Sequence, residues 1–146
     1  MRYLLLTLET EKYWFELNYD NYANREIILD EYGELHFSCL EDCLAEGEVN
    51  ETDLEGVVIN SSKEDFENLW QCMLKHQKKQ WELTKKKYFI GKTVQGICKF
   101  FYPQGTIVKG KDFIAVYKGK ELFTINQLVS VEVKNYDDIN MWLETY

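Results

Sequence analysis

Three consecutive aromatics, Phe100, Phe101 and Tyr102, stand beside Lys99 and lead through Pro103 and Gln104 to Gly105 in the stretch KFFYPQGTIV. Rings stack on nucleobases, lysines neutralise phosphates, and an amide side chain hydrogen-bonds a base edge. These residue types in one short run could therefore hold a single-stranded nucleic acid. Lys109 follows soon after, and Lys85, Lys86 and Lys87 sit together upstream. The competing explanation for the rings is packing, because exposed aromatic patches on small domains are scarce.

Other chemically capable residues form weaker sets. Cys39 and Cys43 are spaced as successive turns of a helix and not as the C-x2-C of a zinc knuckle, while His36 and His76 are scattered, so no metal site is expected. Asp137 and Asp138 are adjacent, and on a strand adjacent side chains point to opposite faces. The chain has no G-x4-G-K-S/T, H-E-x-x-H or G-x-S-x-G run, and Ser38, Ser61, Ser62 and Ser130 have no marked base nearby in sequence. The expectation is a protein that is not an enzyme and needs no cofactor.

The net charge of −8 conceals a segregation along the 146 residues. From Lys75 to Lys120 there are twelve lysines against Glu82 and Asp112, whereas the remainder holds five basic and twenty-three acidic residues. The basic tract suits a polyanion. The acidic side chains Glu41, Asp42, Glu46, Glu48, Glu51, Asp53 and Glu55, with no lysine or arginine among them, suit a basic protein. YLLLTL is too short for the apolar part of an export signal, and no run approaches the ~20 apolar residues of a membrane span. A cytoplasmic protein with reduced thiols and no membrane partner is expected.

These residues need elements to position them. RYLLLTLE, KYWFELNY and the two β-prone runs around Glu31-Tyr32-Gly33-Glu34 read as an antiparallel meander over residues 2 to 38, with GVVIN as a further short strand. The acidic segment between them reads as a short helix or turn followed by a loop. A long helix of about 62–87 follows. Ser61 and Glu64 fit a capping box, and Phe66, Leu69, Trp70, Met73, Gln77 and Trp81 fall at helical spacing, which marks a core stripe. Beyond Phe89 the chain changes to short β runs punctuated by Gly105, Gly110 and Gly119, among them KTVQGICKFF, TIV, FIAVY, ELFTI and LVSVEVKNY. So many strands in so few residues call for a small closed barrel. The fold class is thus α+β, with residues 1–88 as an N-terminal segment and 89–146 as a five-stranded barrel.

Gly91, Gly96 and Gly105, with Ile107 and Val108 after the third, resemble the glycine pattern of the S-one type of RNA-binding domain, an OB-fold barrel. LVSVEVKNYDDINMWL, with Val129, Val131, Val133, Asp137 and Leu143, is similar to the segment that closes that family's barrel. The likeness covers residues 88 to 146. It implies the barrel and a core-facing Phe101, with Phe100 and Tyr102 turned the other way. Gln104 and Ile107 stand where the family usually carries base-stacking aromatics, and YKGKELFTI replaces its histidine-containing segment. The whole chain is also similar to uncharacterised bacterial proteins that join a SCLEDCLAEG-like segment to a barrel containing YPQG.

Together these features lead to the expectation of an accessory protein that binds RNA or single-stranded DNA through Lys99, Phe100, Tyr102, Gln104, Lys109, Lys85, Lys86 and Lys87. The alternative is an interaction module, such as an inhibitor or immunity-like protein, that offers region 41–55 to a basic partner and keeps the barrel as scaffold.

Overall fold

A computed structural model describes every residue from Met1 to Tyr146. The chain is α+β and divides into two compact units, Met1–Met73 and Leu74–Tyr146. The division expected at residue 88 falls instead inside the single long helix, because Trp81 and Tyr88 belong to the second unit's core.

In the first unit β1 (Arg2–Thr7) pairs with β2 (Lys12–Leu17) and with β5 (Val57–Asn60), while β3 (Ala23–Leu29) and β4 (Leu35–Phe37) extend the sheet to the order β4-β3-β2-β1-β5. Every pairing is antiparallel, so the expected meander forms. Gly33 makes the last hairpin possible at φ +81, and Asp30 Oδ1 fixes it by accepting from the amides of Tyr32 and Glu34 at 2.9 Å each.

The helix α1 (Lys63–Lys87) is capped one residue later than its sequence suggests. Ser62 Oγ accepts from the Asp65 amide at 3.0 Å, whereas the Ser61 amide donates to the carbonyl of Tyr3 and extends the β1–β5 ladder. Phe66, Trp70 and Met73 are buried as their spacing requires. Phe66 meets Tyr3 and Trp70 meets Phe37, each with ring centroids 5.7 Å apart. Arg25 lies over both helix rings, 4.8 Å from the Phe66 centroid and 4.9 Å from that of Trp70. Its guanidinium donates to Glu16 at 2.8 and 2.6 Å and also to Glu67. Burial alone would lower the Arg25 pKa, but these bonds outweigh it and hold the guanidinium above its usual range. Tyr3 donates to Glu16 at 2.9 Å, and burial, then that carboxylate, pushes its hydroxyl up to about 12.

The segment after β4 forms a strap tied to β3 and to the turn before it. The Ser38 amide bonds the Glu26 carbonyl at 3.0 Å, the Ala45 amide bonds Glu26 Oε1 at 2.8 Å, and the Val49 amide bonds the Asn21 carbonyl at 2.8 Å. Cys39, Leu44 and Val49 are its buried anchors, and a single 3-10 turn, Glu51–Asp53, is its only helical part. Glu26 itself is only 3% exposed.

The second unit holds β6 (Thr93–Tyr102), β7 (Gly105–Lys109), β8 (Ile114–Tyr117), β9 (Leu128–Asp137) and β10 (Trp142–Thr145). Each strand has two neighbours in the order β10-β8-β7-β6-β9, and β9 pairs back to β10, so the ladder closes on itself. Only β8 and β10 run parallel. The interior is filled by Val94, Val108, Ala115, Tyr117, Val129, Val131, Val133 and Leu143, with Trp81 and Tyr88 contributed by and just after α1. ELFTI is not a strand. Thr124 and Gln127 hydrogen-bond each other in a tight turn, with Asn126 at φ +68, and Phe123 packs on Tyr117 at 4.6 Å. No helix is long and apolar enough to cross a membrane.

Glu26 sets a testable pH dependence. Burial raises its pKa from 4.5 to about 7, against the opposing bond from Ala45, so the fold favours the neutral acid. Its contribution is full below the unfolded pKa of 4.5 and lost as pH rises through about 7. The stability of Glu26→Gln relative to the parent should therefore rise between about pH 4.5 and about pH 8, by about 3 kcal/mol in urea unfolding. A pH-independent difference would show that the carboxyl ionises as freely in the fold as in the unfolded chain.

Candidate nucleic-acid interface

The first half of β6 places alternate residues inward: Val94, Gly96 and Cys98 are buried. A bulge then interrupts the ladder. Cys98 pairs with Val108 but Phe100 pairs with Ile107, which leaves Lys99 as the extra residue. Strict alternation from Cys98 would carry Phe100 and Tyr102 inward with it. The bulge instead sets Phe100 beside Ile107, which is itself only 1% exposed.

Phe100 and Tyr102 are both half-buried, and their rings lie 4.7 Å apart. Tyr102 also meets Trp142 at 6.2 Å, which links the turn between β6 and β7 to the start of β10. Phe101 departs from expectation. It pairs with Thr106 near the end of the ladder, lies outside the interior cluster and is 55% exposed, so it is not a core residue. The physical reason is its place: β6 has run past most of the closed sheet by residue 101, and little remains to cover the ring. Gln104 is half-buried, whereas Lys99 and Lys109 are exposed.

The lysines at the end of the helix are employed differently. Lys85 Nζ lies 3.1 Å from Asp138 and 3.1 Å from Glu82, and it stands 5.5 Å from the Trp81 ring centroid. Burial is the largest single influence and lowers its pKa, but the bonds to Asp138 and Glu82 and their charges together outweigh it and raise it. Lys87 donates to Asp112 at 2.6 Å, and that bond raises the lysine while holding the Asp112 carboxyl below its usual range. Tyr88 donates to the same carboxylate. Lys86 is exposed.

Asp112 lies in the turn after Lys109, whereas Gln104 lies in the turn before Gly105. β7 separates the two turns by about 13 Å at ~3.3 Å per residue. The eight residues proposed from sequence thus lie in three places. Phe100, Tyr102 and Gln104 gather toward the turn between β6 and β7, Lys99 and Lys109 lie toward the other end of β7, and of the helix-end lysines Lys85 and Lys87 neutralise acidic side chains while Lys86 is exposed. Sequence reasoning missed Phe101 as an exposed ring and Trp142 as a neighbour of Tyr102. Lys99 was the available signal for the first, since a lysine inside an otherwise apolar strand end is compatible with a bulge.

Other polar sets lie in the first unit. His36 holds Asp30 at 2.7 Å through Nε2 and Glu41 at 2.6 Å through Nδ1, and these bonds raise its pKa. Ligand atoms of Asp30, Glu34 and His36 lie within 4.8 Å of one another, with no cysteine in the group. Burial first, then the nearby carboxylates Glu26, Glu41 and Asp42, pushes the Cys43 thiol up to about 12, so it carries no nucleophilic thiolate at neutral pH.

Gly105 makes the turn possible. Its φ is +146, and an added Cβ would stand 2.6 Å from the Tyr117 carbonyl oxygen and 2.8 Å from Val116 Cγ2. Gly105→Ala should lower unfolding stability by about 1–3 kcal/mol, measured by denaturant titration of the full chain. An unchanged midpoint would mean that the turn tolerates a different backbone.

No family model matches the chain, and neither a curated protein nor a solved structure matches it.

Proposed function

We propose that the chain is a non-catalytic nucleic-acid-binding protein, with single-stranded RNA as its ligand and an OB-type barrel as its second unit. The observation that carries this reading is the contact between the rings of Tyr102 and Trp142. Tyr102 leads into the turn between β6 and β7, and Trp142 follows the turn between β9 and β10. In OB barrels these two turns, with the face of the second and third strands, are where oligonucleotides bind. The strand order supports the same reading. The last strand returns to lie between the third and fourth strands of the unit, parallel to the third and antiparallel to the fourth.

In this reading the exposed Phe101 ring stacks on a base, with Phe100 and Tyr102 supporting it as a sequence-tolerant platform. Lys99 and Lys109 contact phosphates, and Gln104 reads a base edge. Lys85 and Lys87 are engaged with Asp138 and Asp112 and take no part. The choice of RNA rests on the resemblance of residues 88 to 146 to S-one type domains.

Anisotropy of a labelled single-stranded RNA, repeated with DNA of the same sequence and at two salt concentrations, tests the proposal. Affinity should fall with salt, and Lys99→Gln should reduce the salt slope by about 1. Phe101→Ala should weaken binding about tenfold or more, the effect of losing one stacked base. Absence of binding at low salt, or equal binding by the Phe101 variant, would defeat this assignment of the surface.

A further inference from the structure

The first unit carries a surface that the nucleic-acid reading does not use and on which it does not depend. β5 is the last strand of its sheet and pairs only with β1, so one row of its backbone groups is left without a ladder partner. Edge strands are commonly protected by charge or proline. This one reads Val57-Val58-Ile59-Asn60, with neither. Val57 is 64% exposed and Ile59 51%.

Ile59 also continues an apolar row across the sheet. It pairs with Leu5, and Leu5 pairs with Trp14. Leu69 of α1 faces this row, and together they line a groove of about 600 Å³ whose rim includes Asn60, Asp65 and Asn68. A strand added beside β5 would place every second side chain on the groove's side.

Charge selects the occupant. The residues that flank β5, 51 to 65, hold five carboxylates against the single lysine Lys63. Glu51, Asp53 and Glu55 lead directly into β5, and Glu64 and Asp65 open the helix that follows. Arg2 on β1 is already bound to Glu51 at 3.1 Å. Asp65 is the only charged side chain lining the groove.

We propose that the open edge of β5 is a docking site for an extended, basic and apolar peptide segment of a partner protein, which adds to the sheet as a sixth strand. Main-chain hydrogen bonds supply the pairing, alternate apolar side chains lie against Val57 and Ile59, and lysine or arginine side chains meet the carboxylates around the edge. Pairing through the backbone and selection through charge are separate contributions, and they can be removed separately.

The test uses the full chain and a labelled peptide of about eight residues alternating lysine and valine, long enough to lie along the edge. Three companions are measured: a glutamate and valine counterpart, the lysine peptide N-methylated on alternate amides, and the Ile59→Lys protein checked for an unchanged fold by circular dichroism. The lysine peptide should bind and weaken with salt, the glutamate peptide should not bind, and both N-methylation and Ile59→Lys should cost about tenfold. Equal binding after N-methylation would overturn strand addition, and equal binding of the glutamate peptide would overturn the charge assignment. No binding of the lysine peptide at low salt would overturn the proposal. So would a dimer that excludes the peptide and that Ile59→Lys converts to monomer, since the edge would then belong to a second copy of the chain.

Discussion

Both sheets depend on one amphipathic helix. The first sheet needs an apolar cover for the face that carries Tyr3 and Phe37, and Phe66 and Trp70 supply it. The closed sheet of the second unit includes Trp81 in its interior cluster, and Tyr88 just beyond the helix joins it. A sheet of short strands buries too little by itself, and layered packing of helix on sheet is the usual remedy. Here one stripe at three- and four-residue spacing serves two cores in succession. The compact units therefore divide inside a continuous helix and not at a loop.

The buried ions of the first unit follow from the same demand. Arg25 stands on the face covered by the helix, where a lone charge would be strongly unfavourable. Glu16 from the neighbouring strand and Glu67 from the helix both accept from it, while Phe66 and Trp70 present their ring faces. The guanidinium therefore ties sheet to helix through directional bonds in a region otherwise held by non-directional apolar contact. Glu26, on the neighbouring strand position but under the strap, has no cation and only the Ala45 amide, so its charge is disfavoured. Two adjacent residues of one strand thus show opposite responses to burial because only one has an ionic partner.

The regular elements were the most legible part of the chain. The helix expected at 62–87 forms at Lys63–Lys87, because a long stripe leaves little freedom of assignment, and the meander forms because its hairpin glycine and alternating runs agree. Legibility failed where the choice lay between near-equivalent local partners. Ser61 and Ser62 both suit a cap, and the ladder to Tyr3 decided for Ser62. ELFTI has strand-like composition, but a turn between Thr124 and Gln127 takes its backbone. In the candidate site the residue types were visible, whereas their exposure was not. One bulge at Lys99 and the end of a ladder decide that Phe101 is open and that its neighbours are half-covered. The lysines of the helix end could not be apportioned from sequence either, because Asp112 and Asp138 lie distant in the chain and near in space.

Closure of the second sheet has a consequence for how the chain reaches its fold as it is synthesised. Tyr136 bonds the carbonyls of Lys85 and Tyr88, and β10 joins β8 to β9 through the parallel pairing that completes the ring. All these contacts come from residues 128 to 146, so the helix end, β6 and β8 must wait for that segment before they are fully satisfied, while β7 has both its partners by Tyr117. The first unit contains all its own strand partners by residue 60 and can settle earlier. Vectorial synthesis would then pass through a stage in which one sheet is formed while the other still exposes valine-rich strands, a stage in which premature association with other chains is the main hazard.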